Sequence, residues 1–383
     1  MNATYKADYK GGKQIIEYLG NKINKPIGDI TTLKLTDKYL KNQSDRIIKD
    51  KKYFHLHNID NTIFLSAVEY FKSIGADWCN LPITTLMISS PGEVYSGDTL
   101  DYTTDALPVE IDWFNNKRKA FLSESSQFYL ELRLLIDNLD KVFSIYNSFR
   151  KEDADFSHLA EFQHIEFEGK IGFEENIELL LGLMRHITAS LVKNNMKDLK
   201  YFLSGKEIKS ILSSFDKNKV KRIPFTEAMD VLFNATGDKK YKKISMKYFK
   251  SWEEIKLTEI LNSHVLVTHY PLMEIPFYHK TYEGDKNKNR KYAQNADLIL
   301  FGYREVIGSG TRIKSIKKLE EKVAIFNLPK DDYEPYLKTR RYKKYKETSG
   351  FGMGWQRYVQ WLLKLPVIWD ATHIPRGQYL PKP

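Results

Sequence analysis

Two hydrophobic periods alternate along the 383-residue chain, and the switches between them lay out its elements. Ile63, Phe64, Ala67, Val68 and Phe71 recur at helical spacing behind Asp60 or Asn61, either of which can cap the helix, and Gly75 ends it. WCNLPITTLMI reads as a strand interrupted by Pro82, AFLSES as a short strand, and 127–139 as an amphipathic helix. KVFSIYNSF and HLAEFQHIEFEG alternate with period 2 about a polar loop, which predicts an antiparallel hairpin. Helical spacing returns over about 174–193 and after a turn in RIPFTEAMDVL. HVLVTHYP and ADLILFGYREVIG are apolar runs of strand length, and GFGMGWQRYVQWLLKL is a glycine-rich strand passing into an amphipathic helix. Strict strand–helix–strand alternation is missing, so the predicted class is α+β, an antiparallel sheet flanked by helices. Residues 1–55 predict a short N-terminal extension. Residues 56–383 predict one large domain with a helical insertion at about 174–260.

Composition sharpens this picture in two ways. Hydrophobic residues make up 42% of the chain, enough for a packed core. The single cysteine, Cys79, excludes an intrachain disulfide or a cysteine-cluster zinc site and suits a reducing compartment, with the cytoplasm as the expectation. No run reaches the ~18 apolar residues of a membrane span, and the N-terminus lacks the apolar core of a secretory signal. Sixty Lys and Arg against 49 Asp and Glu give a net charge of +11, which attracts polyanions. The excess sits at 217–222, 239–250, 286–291 and 338–346, with tyrosines interleaved at 239–250 and 338–346. These stretches read either as solvated faces or as a nucleic-acid track.

Two segments carry chemistry. In a strand, residues two apart share a face, so Phe162, His164, Glu166 and Glu168 line one side of the predicted hairpin, while Ile165 and Phe167 line the other. Arg150 and Glu152 point together just after the first strand. An arginine fork and an aromatic face suit a phosphate or carboxylate and a purine; an ordinary surface hairpin with ion pairs is the alternative. In GFGMGWQR, Gly350, Gly352 and Gly354 clear one sheet face so that a flat ligand can approach the backbone, with Arg357 at its end. Neither GxGxxG opening a helix nor GxxxxGKS/T is present.

The order of these segments resembles the catalytic core of class II aminoacyl-tRNA synthetases of the asparaginyl, aspartyl and lysyl subgroup, most nearly the asparaginyl branch. GADWCNLPITT is similar to motif 1, with Pro82 as its proline; SFRKE followed by HLAEF to motif 2; GFGMGWQR to motif 3. AFLSESSQFYLE, RIPFTEAMDVL, VTHYPLMEIPFY, DLILFGYREVIGSGTR and LPVIWDATHIPR also resemble subgroup segments. The resemblance implies ATP and Mg²⁺ as cofactors. It places Arg150 on the α-phosphate and the substrate carboxylate, Glu152 on the adenine side, His158 at the distal phosphates, Phe162 stacked on adenine and Arg357 on the γ-phosphate. Arg150 and Arg357 are thereby the catalytic pair. Glu305, with Asp297, would hold the metal. Glu93 and Gln127 would meet the amino acid, and Arg312 would read its side chain. Aspartyl enzymes carry a lysine three residues after that glutamine, where this chain has Leu130, which favours an amide over a carboxylate substrate.

The departures from the subgroup pattern are Ser157 in place of an arginine, His269 in place of an acid or amide, Pro276 in place of a lysine and Gln356 in place of a glutamate. Only about 55 residues precede the core, fewer than the ~100 of the five-stranded anticodon-reading barrel. The expectation is therefore an ATP-dependent, adenylate-forming ligase for asparagine, aspartate or a related amino acid, homodimeric through motif 1. Its expected transfer is to ammonia, a small amine or a biosynthetic acceptor, as in an asparagine-synthetase-like enzyme. The alternatives are asparaginyl transfer to tRNA and a non-catalytic nucleotide- or RNA-binding module.

Overall fold

The computed structural model describes residues 7–10, 13–18, 21–25, 35–91, 107–114, 119–152, 155–216, 218–284, 291–377 and 380. Near the N-terminus, β1 (Ala7–Lys10), β2 (Lys13–Tyr18) and β3 (Asn21–Lys25) form a small antiparallel sheet that the hydrophobic pattern did not reveal.

The first long helix, α1 (Lys52–Ser73), begins earlier than its sequence signal. Tyr53, Leu56, Ile59, Ile63, Ala67 and Phe71 form its buried stripe, whereas Phe64 is 46% exposed. Asp60 is therefore no cap: it lies inside the helix and accepts a hydrogen bond from the Trp355 indole at 2.8 Å. Gly75 does follow the helix end, with the positive φ of 72° that a side chain resists.

Eight strands build the main sheet, and their extents follow the period-2 runs closely at the centre. They are β4 (Asp77–Trp78), β8 (Lys141–Phe149), β9 (Glu161–Gly169), β10 (Val220–Pro224), β11 (His264–Thr268), β12 (Asn295–Ile299), β13 (Glu305–Thr311) and β14 (Ser349–Gly354). Their order is β10-β11-β12-β13-β14-β9-β8-β4. The six central strands run antiparallel, and only the outermost pairs, β10/β11 and β4/β8, are parallel. β5 (Thr84–Thr85), β6 (Val109–Ile111) and β7 (Ala120–Leu122) make a separate three-stranded sheet, which leads into α2 (Gln127–Arg133).

The 22-residue helix α3 (Phe173–Asn194) packs on α1 and on the sheet, where Leu180, Leu183, Met184 and Ile187 join Phe71, Phe143, Phe167 and Phe351 in one core. Stacked Phe71 and Phe143 rings, 4.5 Å apart, mark its centre. The stretch at 174–260 thus contributes both core and a sheet edge: β10 belongs to it, followed by α4 (Phe225–Thr236) and α5 (Ser251–Ile260). Toward the C-terminus, α6 (Ile316–Ile325) and α7 (Lys330–Thr339) cover Phe128 and Phe277, and α8 (Trp355–Leu362) follows β14 directly. The result is an α+β fold, a mostly antiparallel sheet flanked by helices. Among the described residues, no helix is long and apolar enough to cross a membrane.

Candidate active site

The pairing of β9 with both β8 and β14 creates the site. Register sets Glu166 opposite Gly352 and Glu168 opposite Gly350, so the polar face of β9 lies beside the glycine strand. The expected glycine floor is shorter than three residues. A Cβ at Gly350 would come within 2.0 Å of Glu168 Oε2, so that glycine makes room for a carboxylate; Gly352 and Gly354 alone line open space.

That space is a cavity of about 360 Å³, which brings together Arg150, Glu152, His158, Phe162, Glu305 and Arg357. Arg150 stands 5.3 Å above the Phe162 ring and 3.8 Å from Glu152. Arg357, from the first turn of α8, donates to the backbone carbonyls of Glu305 at 2.9 Å and Ser157 at 3.3 Å. His158 is held at both nitrogens: Nδ1–H donates to Asp155 at 2.9 Å, and Nε2 accepts from Arg304 at 2.8 Å. Burial, then the Arg304 charge, pushes this imidazole below its ordinary range, consistent with a neutral ring.

Glu305 and Asp297 flank Gly308, their oxygens 3.0 and 3.7 Å from where a Cβ would sit. Burial first, then the Glu305 charge, drives the Asp297 carboxyl well upward; burial raises Glu305 too. Two half-buried carboxylates that repel one another are a donor set that suits Mg²⁺, which takes one or two protein carboxylates and completes its shell with phosphate and water. Among the described residues, no group of three or more His, Cys, Asp or Glu is arranged to hold a metal.

Gln127 and Arg312 do not line the cavity; they meet Glu168, further along the polar face of β9. Arg312, 1% exposed, donates to Glu168 at 2.9 Å and to Gln127 Oε1, and stands 5.1 Å from the Tyr278 ring. Leu130 packs with Cys79, Leu134 and Val142, so its place supplies packing and no charge. Glu93 lies outside the described residues. Of the four departures, Ser157 and Gln356 line the cavity, while His269 and Pro276 do not. Gln356 pairs with Gln163, accepting its backbone N–H at 2.9 Å, a neutral substitute for a charged contact. His269 instead takes a left-handed φ of 60° and lies against the tilted Tyr282 ring in a separate groove.

Sequence reasoning missed three charged groups around the site. Arg304 joins Glu254, whose only sequence signal was an acidic pair inside an apolar helix. Glu124, 3% exposed, accepts from Ser89 Oγ at 2.8 Å and from the Ser90 N–H, beside the segment assigned to the amino acid. Burial, opposed by Arg150, raises the Glu124 carboxyl to about 7. Its folded pKa exceeds its unfolded one, so the protonated form carries no penalty at low pH, and stability falls as pH rises from the ordinary carboxylate range through about 7. Glu124→Gln, which cannot ionise, is expected to be more stable than the wild-type chain by about 2–3 kcal/mol at pH 8 and nearly equal to it at pH 4.5. Denaturant midpoints at the two pH values check this, and an equal gain at both would contradict it.

An antiparallel sheet bearing an arginine–aromatic pair, a motif 3 arginine and paired carboxylates is the framework of a class II synthetase. The family model for tRNA synthetases class II (D, K and N) matches residues 99–378, and the chain belongs to that family of ATP-dependent ligases. Among its relatives, the Asparagine--tRNA ligase of Myxococcus xanthus is 28% identical over 317 residues, covering 80% of this chain and 66% of that protein. The ligase of the same name from Thermococcus kodakarensis is 28% identical over 351 residues, covering 88% and 74%. The chain thus spans about two thirds of the first of these relatives. The structure is similar to asparaginyl-tRNA synthetase from Pyrococcus horikoshii complexed with asparaginyl-adenylate, with a TM-score of 0.75 and 26% identity over 91% of this chain and 74% of that one.

Proposed function

We infer that the protein activates asparagine with ATP, forming asparaginyl-adenylate and pyrophosphate, and passes the asparaginyl group to tRNA with release of AMP. The observation that carries this is the convergence of Arg150, Phe162, Glu305 and Arg357 on one cavity, with the buried Arg312–Glu168 pair further along the same face of β9. Phe162 offers its face to adenine while Arg150, 3.8 Å from Glu152, is free to meet an α-phosphate and an attacking carboxylate together. Arg357, anchored on two carbonyls, brings charge to the distal phosphates. Glu305 with Asp297 would hold Mg²⁺, which supplies neutralisation of phosphate oxygens when bound. No side-chain nucleophile is needed, since the substrate carboxylate itself attacks phosphorus. Along that face, a guanidinium donor beside a carboxylate acceptor matches a carboxamide, which presents one acceptor and two donors.

The asparagine--tRNA ligase relatives favour tRNA over the ammonia or small-amine acceptor that the short N-terminal region suggested. Lysine-rich surfaces at 239–250 and 338–346 fit a polyanionic acceptor, since phosphate contacts need charge and position alone. A homodimer through α1 and β4 fits the exposure of Phe64, Leu65 and Trp78 at 46, 50 and 61%. The cytoplasm remains the proposed location.

The test is amino-acid-dependent ATP–pyrophosphate exchange across the standard amino acids, with AMP release followed with and without tRNA and ammonia. Exchange with asparagine and release accelerated by tRNA are the expected results. Acceleration by ammonia alone would restore the amide-synthetase reading, and exchange with no amino acid would leave a binding module. Phe162→Ala is expected to raise the ATP KM about tenfold while leaving the amino-acid KM within threefold, as measured by the same exchange assay.

A further inference from the structure

Position 157 holds a serine where the subgroup carries an arginine, yet the cavity wall at that point is not short of charge. Arg304, from the turn before β13, reaches the same spot from the opposite side. Its Nη1 donates to Ser157 Oγ at 3.1 Å and to His158 Nε2 at 2.8 Å. Its other edge forms a forked pair with Glu254 of α5, Nε and Nη2 each 3.2 Å from a carboxylate oxygen. Glu254 also accepts the Glu305 backbone N–H at 2.9 Å. One guanidinium therefore ties the loop at 155–158 to α5, next to the peptide that carries Glu305. Arg357 secures that loop from a third direction through the Ser157 carbonyl.

We propose that Arg304 is a positioning residue for the distal phosphates of ATP: it fixes Ser157 and His158 and supplies from β13's leading turn the positive charge that position 157 lacks. The proposal rests on the reading of the cavity as an ATP site. Three features support it beyond structural bracing. The cation lies in the wall of the cavity itself. It shares that wall with Arg357, so two guanidinium groups line one cavity, a pairing that suits a polyphosphate. Its contact with Ser157 means that an arginine at either position would bring a guanidinium to one place.

The experiment measures MgATP affinity by calorimetry, together with ATP–pyrophosphate exchange. Arg304→Ala leaves Glu254 buried without its partner, so Arg304→Ala/Glu254→Gln is made alongside it to keep the fold free of a lone buried charge. Both variants are expected to bind MgATP at least tenfold more weakly and to show a raised ATP KM with the asparagine KM little changed. Ser157→Arg placed on Arg304→Ala returns the guanidinium from the other side, into the volume the alanine vacates, and is expected to recover most of the lost affinity. MgATP affinity within threefold of wild type in the two deletion variants would overturn the proposal, as would failure of Ser157→Arg to rescue either affinity or ATP KM. Absence of MgATP binding in the wild-type chain would overturn the functional reading and this proposal with it, whereas wild-type binding unchanged by the deletions would overturn this proposal alone.

Discussion

Arg150→Ala is expected to lower asparagine-dependent ATP–pyrophosphate exchange by roughly 10³-fold, the scale on which one preorganised charge on a reacting oxygen matters. Its guanidinium is built for a ligand rather than for the fold. The Nε atom is buried with no hydrogen-bond partner among the described residues, and the nearest carboxylate, Glu152, stands 3.8 Å away. A partly exposed pair of that length contributes at most about 1 kcal/mol, so the melting temperature should move little. Exchange within threefold of wild type in a folded variant would remove Arg150 from the reaction.

Arg312→Leu is expected to have a two-sided effect. In the folded chain, it removes the guanidinium donors beside Glu168 and leaves that carboxylate, fully buried, without its cation. Breaking such a pair costs about 3–5 kcal/mol, so urea denaturation should show a lower midpoint with an unchanged slope. Arg312→Leu/Glu168→Leu removes both charges and should recover much of that stability, while still failing to exchange pyrophosphate in an asparagine-dependent manner. If the double variant activates asparagine at the wild-type rate, side-chain reading lies elsewhere.

The parts of the fold that were legible in the sequence are those with one dry face. β8 spans its alternating run and β9 all but the first three residues of its own, because Phe143, Ile165 and Phe167 pack one side into the main core while polar groups hold much of the other. β10 was invisible: VKRIP buries only Ile223 and leaves lysine and arginine on an exposed edge, so it carries no period. The ADLILFGYREVIG run turned out to be two strands, folded back at Gly302, whose φ of 82° permits the reversal. Site residues on regular strands or at a helix start were readable from spacing, as with Phe162 and Arg357. Arg304 and Glu254 were not, because each looks like a surface charge until the other is beside it. Asp60 misled for a related reason: an acid before an apolar stripe resembles a cap, and only the Trp355 indole, far along the chain, explains its place inside the helix.

The place of β14 in the sheet has a consequence for biosynthesis. β13 and β9 pair on either side of it and not with each other. Until residues 349–354 have left the ribosome, the growing chain therefore holds two half-sheets, each with an unpaired edge and the aromatic core between them unclosed. Pairing across such sequence separations is slow, and bare edges invite association with other chains. Because the same short strand is followed at once by Arg357, closing the sheet and completing the cavity are one event. A chain interrupted before Ser349 is thus expected to need a chaperone more than a nucleotide, and nucleotide can stabilise the protein only after its last strand is in place.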